Sequence, residues 1–279
     1  MTSQVMDAMS PRLLDCAMLE GFPHWLRAHR VRRRWSQEQL GFEAGVSPRH
    51  LSCLETGKAS PSRDMVLRLA KVLDLELRER NSLLVSAGFA AAYPSTGLDG
   101  PAMVPVSRAI ELLLAQQEPY GAILIDRGWN VLRVNRGAQR LLATFLDPRR
   151  VPAHIATNLV RATISPEGLR PHIVNFAEVA AVVRDRVERA HHAHPFDEAR
   201  HELLVELRGD PEIAALPAVT PELTAPMAVL HLRRGAEELR LFALLTTIGT
   251  PLDVTAQELT IESLFPADDV SERWFRQSA

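Results

Sequence analysis

Polar side chains cluster at the start of a short predicted helix, where they could hydrogen-bond to the edges of nucleic-acid bases. Arg49, His50 and Ser52 follow Ser47, a residue suited to capping the helix that is also predicted to contact DNA. An arginine placed there can donate two hydrogen bonds to O6 and N7 of guanine, which gives about 1–3 kcal/mol of discrimination against a wrong base. The pattern therefore predicts contacts with bases in the major groove of DNA.

Basic residues around this helix could contact DNA phosphates. The candidates are Arg33, Arg34, Lys58 and Arg63. The amide of Gln37 could bond a phosphate and also buttress the next helix. Residues 22–80 carry 12 Lys and Arg against 7 Asp and Glu, whereas the whole chain has a net charge of −2. A polyanionic partner is therefore expected for this segment only. The alternative is a generic helical bundle whose basic residues are merely solvated.

A helix, a glycine turn and a second helix would hold these side chains in place. Ser36 is predicted to cap the first of these helices, with Gln39 three residues later in a capping-box spacing. Gly45 supplies the left-handed residue that ends this helix, and Pro48 takes the first position of the next one. The apolar positions that recur at the spacing needed for packing are Leu40, Ala44, Val46, Leu51 and Leu54.

The segment SQEQLGFEAGVSPRHLSCLETGKASPS resembles the Cro/C1-type (XRE family) helix-turn-helix domain. The resemblance implies that bases are read from positions that are Pro48, Arg49 and Cys53 in this chain. Pro48 has no side-chain donor and Cys53 is a weak one. Direct readout is therefore assigned mainly to Arg49 and next to His50. Gly41 replaces the usual alanine of the first helix, which we expect to cost about 1 kcal/mol of helix propensity.

The rest of the chain has a different pattern. Residues 91–105, rich in proline and glycine, are predicted to be a linker. A helix, two strands joined by a two-residue turn at Arg127-Gly128, several helices and three strands follow. This order is that of a PAS-like domain, in which helices cover one face of an antiparallel sheet and a cavity lies between the layers. Helices after the linker are predicted at 106–116, 136–145, 152–162, 176–190 and 197–208, and strands at 122–126, 129–134, 227–233, 239–248 and 259–265.

The predicted fold is multidomain. An all-α helix-turn-helix bundle is assigned to residues 1–90, with its core at 22–88, and an α+β PAS-like domain with an antiparallel sheet to residues 106–279.

The second part of the chain resembles the MmyB-type ligand-binding domain. The motifs that carry this resemblance are Pro119-Tyr120, WNVLRVNRGA at 129–138, Val182-Val-Arg184 and the tail LTIESLFPAD. The family's usual block of tryptophan and histidine is absent, and RGDPEIAALPAVTPELTAP stands in its place. The resemblance implies a PAS-like sensor with an apolar pocket, for which fatty acyl molecules are one ligand type.

An amphipathic ligand would need an apolar tunnel with polar groups at its mouth. Tyr120, Asn135 and Arg184 are the predicted ligand-binding residues. Two alternatives remain open: Asn135 caps the helix that follows it, and Arg184 lies on a solvated face beside Asp185 and Glu188. General core is the expected role of Leu124, Leu132, Phe176, Val183 and Phe242.

Metal binding and catalysis find little support in the sequence. His191, His192, His194 and His201 form a cluster, but adjacent histidines on a helix cannot face one ion, and Pro195 breaks the run. No metal and no cofactor is expected, apart from a possible bound fatty acid. No GxSxG, HExxH or Gly-rich phosphate loop is present.

The sequence also limits where the protein works. Two cysteines, Cys16 and Cys53, argue against a disulfide framework and fit a reducing compartment. Apolar runs such as Leu241 to Leu245 are too short to cross a bilayer. A cytoplasmic protein that does not enter the membrane is therefore expected.

The prediction is a transcriptional regulator that is not an enzyme. Its partners would be double-stranded DNA, a small apolar or amphipathic ligand (a fatty acid foremost) and a second copy of itself, with the homodimer bound to a palindromic site. One alternative is the same DNA-binding head with a ligand-free domain that dimerises or recruits a partner. Another is a hydrolase with an ancillary DNA-binding domain.

Overall fold

The computed structural model of the chain describes residues 11–147, 149–218 and 227–277, with side chains from residue 21 onward. It divides into two compact units. The helical unit comprises Met1–Met103 and Gly249–Gln257, and the sheet unit comprises Val104–Ile248 and Glu258–Ala279. The domain boundaries given above, with a linker at 91–105 between domains at 1–90 and 106–279, stay a prediction. Gly249–Gln257, which lies inside the third range, belongs to the helical unit. No described helix is both long and apolar enough to span a bilayer.

The helical unit is a small bundle. Its helices are α1 (Pro11–Arg32), which is interrupted by non-helical backbone at Gly21, α2 (Gln37–Ala44), α3 (Pro48–Glu55), α4 (Arg63–Val72) and α5 (Leu77–Ser86). Buried apolar side chains from all five fill its core, among them Leu26, Leu40, Leu51, Leu69 and Leu83. This arrangement confirms the predicted helix-turn-helix bundle.

The predicted helix caps are present. The Gln39 backbone N–H donates to Ser36 Oγ at 3.0 Å, and the Ser36 N–H donates back to Gln39 Oε1 at 2.8 Å. Gly45 adopts the left-handed conformation, with φ of 63°, at the end of α2. Ser47 Oγ accepts a hydrogen bond from the His50 N–H at 3.2 Å. Local sequence therefore sets the ends of α2 and the start of α3.

In its described residues the sheet unit combines eight α-helices with one five-stranded sheet. The α-helices are α6 (Val104–Gln116), α7 (Arg136–Phe145), α8 (Ala153–Ala156), α9 (Leu159–Ile164), α10 (Phe176–Ala193), α11 (Glu198–Gly209), α12 (Pro211–Ala214) and α14 (Asp269–Arg276). Helix α13 (Val254–Glu258) belongs to the helical unit except for its last residue. The strands are β1 (Ala122–Ile125), β2 (Val131–Val134), β3 (Leu230–Arg234), β4 (Glu237–Thr247) and β5 (Thr260–Pro266). They pair antiparallel in the order β2-β1-β5-β4-β3, which confirms the predicted α+β fold.

The strand register separates the two faces of this sheet. Ile123 and Leu264 lie on one face, which joins α7, α9, α10 and α11 in the main core. Leu124 pairs with Ile261, and Ile261 pairs with Thr246, on the opposite face. Arg133, which pairs with Leu124, forms a 3.2 Å ion pair with Glu111 of α6. Helix α6 therefore lies over the second face.

Two predicted connections differ from the structure. The β1–β2 turn spans Asp126–Asn130 rather than two residues, because the Asp126 carboxylate accepts hydrogen bonds from the Gly128 and Asn130 N–H groups and Trp129 takes a positive φ of 60°. The single helix predicted at 152–162 is divided into α8 and α9, since Asn158 caps α9. Leu132, expected in the core, is 42 % exposed.

Candidate DNA-binding and ligand-binding sites

Helix α3 presents a polar surface on a firmly packed base. Leu51 and Leu54 are fully buried on its inner side. Ser47, Arg49 and His50 are exposed at its N-terminal end. A helix held in this way can enter the major groove with its first turn facing the bases. Ser52 and Cys53, one turn later, are half-buried, so the accessible donors lie at the positions of Arg49 and His50.

An ion pair in the interior fixes α3 to α1 and α2. Glu55, at the end of α3, accepts hydrogen bonds from Arg30 Nε at 2.6 Å and Nη2 at 2.8 Å, and its second oxygen also accepts one from Gln37 Nε2 at 2.8 Å. Burial raises the pKa of Glu55, but the hydrogen bonds from Arg30 and Gln37 outweigh burial and hold that pKa below its ordinary value. The Gln37 amide nitrogen is therefore engaged in buttressing α3.

The other side chains predicted to contact phosphates differ in whether they already form an ion pair within the protein. Arg33 forms a 2.9 Å ion pair with Asp74, and its guanidinium lies 5.8 Å from the centre of the Trp35 ring. Arg34 and Lys58 are exposed, as is Arg63 at the start of α4. These three side chains can reach a phosphate without breaking an ion pair seen in the structure.

Gly41 has a steric role that the sequence did not indicate. A Cβ atom at this position would lie 2.6 Å from the Val46 carbonyl oxygen, which belongs to the turn between α2 and α3. That distance is below the contact limit, and the obstacle is backbone rather than a flexible side chain. The turn therefore passes close to α2 because residue 41 lacks a side chain.

Replacing Gly41 with alanine is expected to destabilise the helical unit by up to about 2 kcal/mol. Overpacking costs about 1–3 kcal/mol, and because the obstacle is a backbone carbonyl, we expect this cost to exceed the roughly 1 kcal/mol that alanine gains in helix propensity. Urea unfolding checks this value, with Phe42→Ala, an exposed neighbour on α2, as the control. The control is expected to change stability by less than about 0.5 kcal/mol. An increase in stability for Gly41→Ala would show that helix propensity prevails.

An apolar cleft lies on the sheet face beneath α6. Its volume is about 250 Å³. The lining residues are Pro105, Val106, Ala109, Ile110, Leu113, Leu124, Thr246, Thr247, Ile248, Leu259 and Ile261. None of the predicted ligand-binding residues lines it. The sequence held one signal for this cleft, since the consecutive residues Leu112, Leu113 and Leu114 of α6 cannot all point to the same side of a helix.

Asn135 has every side-chain hydrogen bond satisfied within the protein. Its Oδ1 accepts from the Ala138 N–H at 2.9 Å and from the Ala122 N–H at 2.8 Å. Its Nδ2 donates to the carbonyl oxygens of Leu114 at 3.1 Å and Tyr120 at 2.8 Å. Asn135 caps α7, as the alternative interpretation held, and also joins the end of α6 to β1.

Arg184 and Tyr120 are likewise engaged. Arg184 is buried and does not lie on a solvated face; its guanidinium donates to the carbonyl oxygens of Ile213, Leu216 and Pro217 at 2.7–2.8 Å. The Tyr120 hydroxyl donates to Glu272 at 3.3 Å. The structure therefore uses these polar groups to hold protein segments, and ligand contact by either residue stays a prediction.

The histidines at the junction of α10 and α11 lie near one another. The ring centres of His191 and His201 are 5.4 Å apart, and those of His191 and His192 are 6.2 Å apart. Burial lowers the pKa of His191, and the neighbouring His201, His192 and Arg208 lower it further. Over the described ranges, no group of three or more His, Cys, Asp or Glu side chains is placed to hold a metal ion.

Comparisons with known families divide the chain in the same order. Residues 26–80 match a model described as helix-turn-helix. Residues 106–277 match the MmyB-like transcription regulator ligand binding domain. No curated protein matches the sequence. The two matches cover the exposed α3 surface and the cleft beneath α6.

Proposed function

The chain belongs to the MmyB-like transcription regulators, and from this premise we propose that it is a cytoplasmic homodimer that binds palindromic operator DNA and responds to a small apolar or amphipathic molecule, a fatty acid foremost. The helix-turn-helix makes it a DNA-binding protein, and the second domain makes it a ligand-responsive regulator. Both matched families are regulator modules rather than enzymes.

The observation that carries the DNA-binding part is the exposed first turn of α3 on a rigid base. Arg49 and His50 point away from the core, while Arg30, Gln37 and Glu55 fix the helix from behind. Because Pro48 has no side-chain hydrogen-bond donor and Cys53 has only a weak one, a single helix-turn-helix domain would contact few bases. A two-fold dimer would place two such helices about 34 Å apart and double the number of readout contacts.

Replacing Arg49 with alanine is expected to weaken operator binding about fivefold or more, because a bidentate contact to guanine contributes about 1–3 kcal/mol. The operator is first selected from a random duplex library, and affinities are then measured at one fixed salt concentration. The control is Arg108→Ala, which removes the same charge from an exposed position on α6. An Arg49→Ala protein with unchanged sequence preference would contradict base readout by this residue.

Ligand and oligomeric state are tested together by native mass spectrometry of the purified protein. A dimer mass plus a bound acyl molecule supports the proposal. Ligand would act through different affinities for two arrangements of the protein. A monomer that shows no binding to a panel of fatty acids after delipidation would refute both the dimer and the ligand.

A ligand-free second domain is the competing function. Leu112 of α6 and Leu244 of β4 are each more than half exposed, and such apolar positions suit a surface that a second copy covers. The satisfied hydrogen bonds of Asn135 and Arg184 also leave fewer free polar groups for a ligand head. A dimer without any bound small molecule would favour this alternative.

A further inference from the structure

The chain passes between the two units at three places, and each borders the apolar cleft in sequence. The crossings follow Met103, Ile248 and Gln257. Pro105 and Val106 line the cleft just after the first crossing, Thr246–Ile248 line it just before the second, and Leu259 lines it just after the third. Every covalent connection between the units therefore lies within two residues of the cleft lining.

The segment between the second and third crossings is built into the helical unit. The Val254 N–H donates to the Pro94 carbonyl at 2.8 Å, and the Thr96 N–H donates to the Asp253 carboxylate at 3.0 Å. Gln257 Oε1 accepts from the Leu77 N–H at 2.7 Å. Leu77 begins α5, where the first N–H groups have no partner inside the helix. The β4–β5 connection thus supplies a cap to a helix of the DNA-binding unit.

The lining of the cleft defines the kind of ligand. No lining residue is charged, and Thr246 and Thr247 provide its only polar side chains. Burying a charged group there would be costly, because nothing in the lining could pair with it. The volume of about 250 Å³ is close to the lower end of small-molecule pockets. These features fit a neutral apolar small molecule.

We propose that the cleft beneath α6 binds a neutral apolar small molecule, and that its occupancy is transmitted to α5 through Gly249–Gln257. This inference rests on the proposed function and names the site and route of its regulation. The ligand would favour one placement of Thr246–Ile248 and Leu259. The attached segment, Gly249–Gln257, would then change the strength of its hydrogen bonds to Leu77 and Pro94. Such coupling requires only a difference in ligand affinity between two states.

N-phenyl-1-naphthylamine, a neutral apolar fluorophore, serves as the probe, and the full-length chain is used throughout. Two substitutions on α6 form a matched pair: Ala109 lines the cleft, whereas Ala115, also exposed, does not. Ala109→Phe should weaken probe binding about tenfold or more by filling the cleft, and Ala115→Phe should change it less than about twofold. Equal binding by wild type and Ala109→Phe, or none by wild type, would refute the site.

The route is tested with Gln257→Ala, which removes the acceptor from the Leu77 N–H. In the wild type the probe should slow amide exchange at Val254 and change operator affinity about fivefold or more. In Gln257→Ala the probe should bind as in the wild type, but its effect on operator affinity should be lost. A full effect in that variant would refute transmission through this segment.

Two further outcomes separate ligand binding in the cleft from occupation of the cleft by a second copy, and from failure of the proposed function. If Ala109→Phe abolishes the dimer but leaves probe binding unchanged, a second copy of the chain occupies the cleft, and the proposal is overturned. If the protein lacks specific DNA binding, the proposed function fails. Probe binding and amide exchange at Val254 would still decide whether the cleft is a site coupled to Gly249–Gln257.

Discussion

Replacing Glu55 with alanine is expected to destabilise the helical unit by about 3 kcal/mol and to weaken operator binding with it. Removing one partner of a buried ion pair costs about 3–5 kcal/mol, because the other charge is left without compensation. Arg30 keeps its 2.7 Å hydrogen bond to the Trp35 carbonyl and is 12 % exposed, which places the expected value at the low end of that range. Urea unfolding, with hydrogen exchange to locate the loss at α1–α3, measures the effect.

The pH dependence provides a second measurement on the same pair. Because the pKa of Glu55 lies below its ordinary value of 4.5, the pair stabilises the fold above that value and loses this contribution as pH falls through the lowered pKa. The difference between wild type and Glu55→Ala should therefore shrink below pH 4.5. Glu43→Ala, an exposed glutamate on α2, is the control and should change stability by less than about 0.5 kcal/mol. A constant difference across pH would exclude the ion pair as the cause.

The parts of the structure that the sequence predicts are those with local causes. Ser36 with Gln39, Gly45 and Ser47 act on backbone within four residues, so their roles follow from residue type and spacing. Strand periodicity likewise reports which residues face the core. These signals were enough to predict the helix-turn-helix and the antiparallel sheet.

The parts that the sequence does not reveal depend on contacts between distant segments. The need for glycine at position 41 arises from the carbonyl of Val46 across a turn, and the cap on Leu77 comes from Gln257. Neither contact has a local pattern. For the same reason, residue type and motif position predicted ligand contact for Asn135 and Arg184 but not the several protein partners that each has.

Replacing Arg184 with methionine is expected to destabilise the sheet unit by at least about 3 kcal/mol. The guanidinium donates to three carbonyl oxygens, those of Ile213, Leu216 and Pro217. Hydrogen bonds to a charged group contribute about 1.5–3 kcal/mol each, and a buried carbonyl left without a donor costs about 1–3 kcal/mol. Methionine keeps the apolar stem, so the loss reports mainly on these hydrogen bonds. Faster amide exchange at α12 would locate the change.

The same variant separates a structural Arg184 from a ligand-binding one. If the residue only holds the segment after α12, the ratio of the affinities for N-phenyl-1-naphthylamine and dodecanoic acid should be the same in Arg184→Met as in the wild type. If it binds a carboxylate head, the variant should lose affinity for dodecanoic acid alone. Arg189→Met, which removes an exposed arginine from the same helix, should alter neither stability nor binding. Because all three acceptors are protein carbonyls, the structure favours the first outcome.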